Sequence, residues 1–124
     1  MRILGLDLGK RRTGVAFADT RPGFVMALNT IKHTTTEGLI SALQQIITDK
    51  KVESLAIGLP RLPDGSEGEQ VDYVRSVAEL IGTTTHLPIR FIDERYSSYG
   101  TTKENADAKA ACSIVEIAMS QHNE

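Results

Sequence analysis

The sequence predicts an α/β fold with a mixed five-stranded sheet, in which an antiparallel meander precedes parallel strands and helices flank the sheet. Two aliphatic segments, at 2–8 and 13–18, are separated only by Gly9–Arg12, which is short enough for a hairpin. Further along, segments with apolar residues at helical spacing alternate with short apolar segments. This alternation is typical of crossover connections between parallel strands.

The element after this hairpin is expected to be a third strand at 25–32, which completes the meander. A helix follows, because the threonines at 34–36 offer an N-cap ahead of apolar residues at helical spacing. We expect this helix to end near Lys50. The apolar residues that define its face are Leu39, Leu43, Ile46 and Ile47.

The second half of the chain alternates strand and helix. Residues 53–59 predict a short buried strand, which is followed by a polar loop. A helix with one apolar face comes next, and Gly82 stands where a C-terminal cap is common. Residues 88–94 predict the fifth strand and residues 105–121 the last helix. The later strands are therefore expected to run parallel to the first.

Composition indicates one globular domain over residues 1–124, with 40% hydrophobic and 24% charged residues. No apolar run reaches the roughly 20 residues that span a bilayer, and the N-terminus lacks a signal-peptide pattern, so we expect a cytoplasmic protein without membrane contact. Cys112 is the only cysteine, which excludes an internal disulfide and predicts a packed thiol. Because the net charge is −2, nucleic-acid binding would have to depend on local patches.

Carboxylates fall at places in the predicted fold that can converge. Asp7 ends the first strand, Asp93 and Glu94 end the fifth, and Asp107 lies in the first turn of the last helix. The carboxyl ends of parallel strands share one edge of a sheet, and a returning helix can reach that edge. Each acid alone has a simpler interpretation: a turn residue at Asp7, a salt-bridge partner at Glu94 and a helix-start residue at Asp107.

A divalent cation would stabilise such a group of carboxylates, because close carboxylates otherwise repel one another. Carboxylate oxygens suit Mg²⁺ or Mn²⁺, and a pair of such ions can promote phosphodiester hydrolysis. Side chains suited to phosphate accompany the acids, although a solvated turn or polar loop is the alternative interpretation for them. They are Lys10, Arg11 and Arg12 in the first hairpin, Arg61 after the fourth strand, and Arg95, Ser97 and Ser98 after the fifth. The histidines His33, His86 and His122 are dispersed, and we expect them in surface or loop positions, not as metal ligands.

Four segments, in this order along the chain, resemble the YqgF/RuvX family, which is described as Holliday junction resolvases and pre-16S ribosomal RNA nucleases with an RNase H-like fold. The segments are Asp7–Gly14 (DLGKRRTG), Gly58–Pro60 with Asp64-Gly65, Asp93–Ser98 (DERYSS) and Asp107–Ala111 (DAKAA). The resemblance implies that Asp7, Glu94 and Asp107 are the catalytic, metal-binding acids, with Asp93 in support. It also implies a nucleic-acid substrate, in ribosomal RNA processing for ribosome biogenesis or in junction resolution.

The chain departs from the family pattern in the segment before the last helix. Glu94 and Asp107 are 13 positions apart, which is fewer than is usual in the family, and Ala110 stands where related resolvases often carry another acid. A noncatalytic nucleic-acid-binding module therefore stays open, as does an ATP-binding domain related to actin and sugar kinases, whose phosphate hairpins also resemble Asp7–Gly9. Action on two strands makes a homodimer a candidate assembly. The choice between RNA and DNA stays open.

Overall fold

The computed structural model describes residues 1–60, 68–93 and 103–122, except for the side chains of 103–107 and 122. Six strands and three helices lie within these ranges. The strands are β1 (Arg2–Asp7), β2 (Arg12–Asp19), β3 (Phe24–Ala27), β4 (Ile31–Lys32), β5 (Ser54–Leu59) and β6 (Ile89–Asp93). The helices are α1 (Thr36–Lys50), α2 (Glu69–Thr85) and α3 (Lys103–His122).

The sheet has the strand order β3-β2-β1-β5-β6, with β4 paired to the other end of β2. β2 is antiparallel to β1, β3 and β4, whereas β5 and β6 run parallel to β1. The crossover helices α1 and α2 make this parallel arrangement possible, because each returns the chain to the amino end of the sheet. The mixed sheet predicted from the sequence is confirmed.

The third predicted strand, 25–32, is divided in two, which corrects the sequence-based expectation. Ala27 pairs with Ala16 and Ile31 pairs with Thr13, so four steps along one strand match three along β2. One extra residue therefore interrupts the ladder, as in a β-bulge. The extra residue is defined by pairing with β2, although Asn29, a residue type depleted in strands, stands in the break.

Two hydrophobic cores lie on opposite faces of the sheet. The larger core packs α1 and α2 against leucines, isoleucines and valines of β1, β2 and β5. The smaller core packs α3 against side chains that include Ala16, Ala18 and Ala56. Because alanine side chains are short, they allow α3 to lie close to the strands. Among the described residues, no helix is long and apolar enough to cross a membrane.

The helix ends were predicted with mixed success. Thr35 caps α1, since its hydroxyl accepts a hydrogen bond from the Gly38 N–H at 3.0 Å, and α1 ends at Lys50 as expected. We expected Gly82 to cap the C-terminus of α2, but it does not. The helix continues to Thr85 and ends at His86, whose left-handed backbone lets its N–H donate to the Gly82 carbonyl at 2.9 Å.

Candidate active site

Asp7 is the last residue of β1 and pairs with Gly14 of β2. Side chains alternate between the two faces of a strand, and Ile3, four residues earlier, belongs to the core under α3. Asp7 therefore points to the α3 face of the sheet, at the carboxyl end of β1, and its side chain is half-buried. An acid at this edge is exposed enough to meet a ligand.

The close approach of α3 to β1 brings the start of the last helix toward the same edge. A Cβ atom on Gly5 would lie 2.8 Å from the Ala111 carbonyl oxygen and 2.9 Å from Val115 Cβ, so this position accepts only glycine without rearrangement. At the other end, Arg90 Nη1 donates to Gln121 Oε1 at 2.9 Å, near the amino end of β6. The helix thus runs antiparallel to β1, and its first turns lie on the side of Asp7.

Position 107 is one helical turn before Ala111, so the backbone of α3 carries it toward the edge that holds Asp7. The side chain of Asp107 lies outside the described residues. The sequence-based expectation that a returning helix reaches the carboxyl edge agrees with this backbone placement. The role of Asp107 stays a prediction.

Asp93 ends β6 and pairs with Leu59, a residue of the larger core. Its neighbour Ile92 belongs to the core under α3. Because adjacent strand residues face opposite sides, Asp93 lies on the α1–α2 face of the sheet, across from the face that carries Asp7. The described geometry does not bring Asp93 and Asp7 together on one face, and the supporting role of Asp93 stays a prediction.

Several predicted site residues fall outside the described ranges. They are Arg61, Glu94, Arg95, Ser97 and Ser98. Within the described ranges, no three side chains of His, Cys, Asp or Glu lie together as a metal-binding group. Cys112 packs against the core under α3, and burial, with Glu116 nearby, raises the pKa of its thiol, which fits a packed residue.

The basic hairpin between β1 and β2 is held by α2. The Tyr73 hydroxyl donates a hydrogen bond to the Gly9 carbonyl at 3.3 Å, and Lys10 Nζ lies 5.7 Å from the centre of the Tyr73 ring. A Cβ on Gly9 would overlap the Arg12 carbonyl oxygen, so the tight hairpin needs glycine there. Nothing in the sequence marks Tyr73, because its role depends on a contact 64 residues away.

Removing the Tyr73 hydroxyl should loosen this hairpin without unfolding the protein. We expect Tyr73→Phe to lower the free energy of unfolding by about 0.5–1.5 kcal/mol, because the partly buried hydrogen bond to Gly9 is lost while the ring stays. Urea unfolding measures this change. Tyr73→Phe should also accelerate amide hydrogen exchange in the hairpin, whereas equal exchange in both proteins would show that the bond does not hold it.

His33, which follows β4, also contacts the hairpin region. Its backbone N–H donates to the Arg11 carbonyl at 3.0 Å, and its Nε2 is hydrogen-bonded to the buried Thr13 hydroxyl at 2.9 Å. The residue follows β4 in a loop, as expected, but it is half-buried. Burial lowers the pKa of His33 below its ordinary value of 6.5, because the charged imidazolium is poorly solvated there.

This lowered pKa predicts a loss of stability in acid. The unfolded chain takes up a proton on His33 near pH 6.5, whereas the folded chain does so only at lower pH, so the free energy of unfolding falls as the pH drops through 6.5. In His33→Gln this contribution should vanish. Urea midpoints compared at about pH 8 and about pH 5 test it. The matched control is His86→Gln, at an exposed residue. Its free energy of unfolding should fall with decreasing pH as that of the wild type does.

Comparison with solved structures identifies the fold. Thermus thermophilus RuvC aligns with a TM-score of 0.67 over 99% of this chain and 96% of that chain, at 10% sequence identity. The same protein in complex with a Holliday junction substrate aligns with a TM-score of 0.63 over the same shares, at 11% identity. These similarities show the RNase H-like fold of the resolvases, and the fold expected from the sequence is confirmed.

Comparison of sequences identifies the family. The family model described as RuvX, Holliday junction resolvase, matches residues 1–121. A protein of Anaeromyxobacter sp. named "Putative pre-16S rRNA nuclease" is 36% identical over 80% of this chain and 72% of its own length. A protein of the same name from Maridesulfovibrio salexigens is 32% identical over 94% of this chain and 96% of its own length. The chain belongs to the RuvX family, as its motifs indicated.

Proposed function

We propose that this protein is a metal-dependent endonuclease that hydrolyses phosphodiester bonds in structured nucleic acid, in pre-16S ribosomal RNA processing or Holliday junction resolution. The observation that carries the proposal is the position of Asp7. It stands at the carboxyl end of β1, on the face that α3 covers, with the first turns of α3 directed to the same edge. Parallel sheets bind their ligands at this edge.

Asp7, Glu94 and Asp107 are the residues that we assign to hold Mg²⁺ or Mn²⁺. The assignment fits a hard cation, because all three supply carboxylate oxygens. Asp93 contributes less directly in this proposal, because its strand position faces the opposite side of the sheet. When bound, the cation would supply positive charge for the attacking water and the leaving oxygen.

The basic hairpin supplies the contacts to the substrate backbone in this proposal. Lys10 and Arg11 are exposed in the hairpin that follows Asp7, and Tyr73 holds the hairpin at Gly9. Guanidinium and ammonium groups at this place can orient the phosphate chain against the acids. The names of the relatives and the junction complex of RuvC support nucleic acid as the substrate.

A cleavage assay tests the proposed function. The protein is incubated with a pre-16S ribosomal RNA fragment, single-stranded RNA and a four-way DNA junction, each with Mg²⁺, Mn²⁺ or EDTA. We expect endonucleolytic products with metal and none with EDTA. Binding of these substrates without cleavage under all conditions would overturn the proposal in favour of a noncatalytic module, and ATP hydrolysis in their place would favour the kinase-like alternative.

A further inference from the structure

A basic groove lies on the outer side of the hairpin, at the same edge of the sheet as the proposed active site. It is a groove of about 710 Å³ between β4, the hairpin and the start of α1, and we name it the β4 groove. The residues that line it and matter here are Arg11, Arg12, Lys32, His33, Thr34 and Thr35. Three of them carry positive charge, and the described residues that line the groove include no acid.

The groove reaches both faces at this edge of the sheet, because Ile31 and Ala42 in its lining lie on the side of the larger core, whereas strand pairing places Arg12 and Lys32 on the side of Asp7. Asp7 pairs with Gly14, and Arg12, two residues before Gly14 on β2, pairs with Lys32 of β4. Paired residues and residues two apart share a face, so Asp7, Arg12 and Lys32 belong to one face at one edge of the sheet. β4 lies two strands away from β1, and Lys32 is offset from Asp7 by two residues along the strands. The distance between their backbones is therefore roughly 12 Å.

The charge of the β4 groove contrasts with that of the whole protein. The net charge is −2, so the positive surface is local and does not reflect a general excess of cations. Glu37, in the first turn of α1, is exposed but does not line the groove. A long-range attraction to polyanions would therefore be concentrated at this edge of the sheet, where Asp7 lies.

The side chains, and not the helix terminus, provide the anion-binding groups of the groove. The Thr35 hydroxyl already accepts from the Gly38 N–H, so the first turn of α1 is capped by the protein itself. His33 fixes the backbone of Arg11 through the bond to its carbonyl and fixes β2 through Thr13. The cations thus project from a braced frame, which lowers the entropy cost of holding an extended polyanion.

We propose that the β4 groove binds the phosphate backbone of a nucleic-acid strand at a site next to the cleavage position. The inference rests on the proposed function for its substrate class and adds the path that the strand follows, from Asp7 across β2 to β4. Arg11 and Lys32 contact phosphates there, so they contribute to affinity and register without touching the reacting phosphate. Because the contacts are to phosphate, they hold for RNA and DNA alike.

Binding measured in EDTA tests this proposal apart from catalysis. Fluorescence anisotropy with a labelled pre-16S RNA fragment and a labelled four-way DNA junction gives the dissociation constant over a range of salt concentrations. The test variant is Arg11→Gln/Lys32→Gln. The control is Arg21→Gln/Lys51→Gln, which removes the same charges from exposed residues at the opposite end of the sheet. Urea unfolding verifies that both variants fold.

Each phosphate contact contributes about 0.7–0.9 to the slope of log affinity against log salt concentration, which is about five- to eightfold in affinity at about 0.1 M salt. We expect the test variant to lose roughly 25- to 60-fold in affinity and about 1.5 in slope. The control should lose less than about threefold. Equal losses of affinity in the test and control variants would overturn the proposed role of the β4 groove. Wild-type affinity of the test variant would overturn it as well.

The outcomes also separate this proposal from the proposed function. If no substrate is cleaved with metal but the binding loss is confined to the test variant, the β4 groove stands and the nuclease proposal fails. If wild-type protein cleaves and the test variant binds and cleaves as wild type does, the groove fails, and the nuclease proposal stands without Arg11 as a substrate contact. A loss of affinity with only one of the two probes would support the groove for that nucleic acid and overturn its use by the other.

Discussion

Asp7→Asn is expected to reduce the rate of phosphodiester cleavage by about 10³-fold or more while the protein stays folded. The amide keeps the size of the side chain but removes the negative charge that would hold Mg²⁺ or Mn²⁺. Loss of such a ligand costs several kcal/mol of transition-state stabilisation, and each 1.36 kcal/mol is about tenfold in rate. Initial cleavage rates at saturating Mn²⁺ and urea midpoints measure the two properties separately.

The matched control for this prediction is Asp49→Asn. Asp49 is an exposed acid near the end of α1, where it accepts a hydrogen bond from Gln45 at 3.0 Å. It lies at the opposite end of the sheet from Asp7, so its loss should leave the cleavage rate unchanged. Cleavage by Asp7→Asn within about tenfold of wild type would show that Asp7 does not hold an essential cation.

Asp93→Asn tests whether acids on the two faces of the sheet have different roles. If strand alternation sets the roles of the acids, this variant should lose less than about tenfold in rate, because Asp93 pairs with Leu59 on the face away from Asp7. A loss of cleavage rate as large as that of Asp7→Asn would show that Asp93 belongs to the metal site.

Local sequence predicted the elements whose signals are local. The period of the apolar residues predicted α1, and the threonines before it predicted its start, because capping depends on a hydroxyl within three residues. The aliphatic run before Asp7 predicted β1, and the short spacer after it predicted the hairpin. The placement of the start of α3 at the edge that holds Asp7 also agrees with the sequence-based expectation, whereas the convergence of the acids stays a prediction.

Features that depend on distant partners were not predictable in this way. The bulge between β3 and β4 is defined by the register with β2, and Asn29, which is depleted in strands, is a weak local sign of it. The face of Asp93 depends on which of its neighbours packs under α3. Similarly, glycine is common at helix caps, yet α2 continues past Gly82 and ends at His86, whose backbone is left-handed.

The packing of α3 on Gly5 connects the fold to the site, and a single methyl group tests it. We expect Gly5→Ala to lower the free energy of unfolding by about 1–3 kcal/mol, because the new Cβ would stand 2.8 Å from the Ala111 carbonyl oxygen, a backbone atom. The helix must move away from β1 to accept it. Since position 107 is carried by that helix, the cleavage rate should fall as well.

Gly82→Ala is the matched control for this methyl group. Its Cβ would meet the flexible end of Ile89, Cδ1, at 3.1 Å, and alanine is favoured over glycine in a helix by about 0.8–1.0 kcal/mol. The same substitution should therefore leave stability and cleavage unchanged or slightly improve stability. Urea unfolding and cleavage rates of the two variants decide the matter: a Gly5→Ala protein as stable and as active as Gly82→Ala would show that close packing of α3 on β1 does not position the active site.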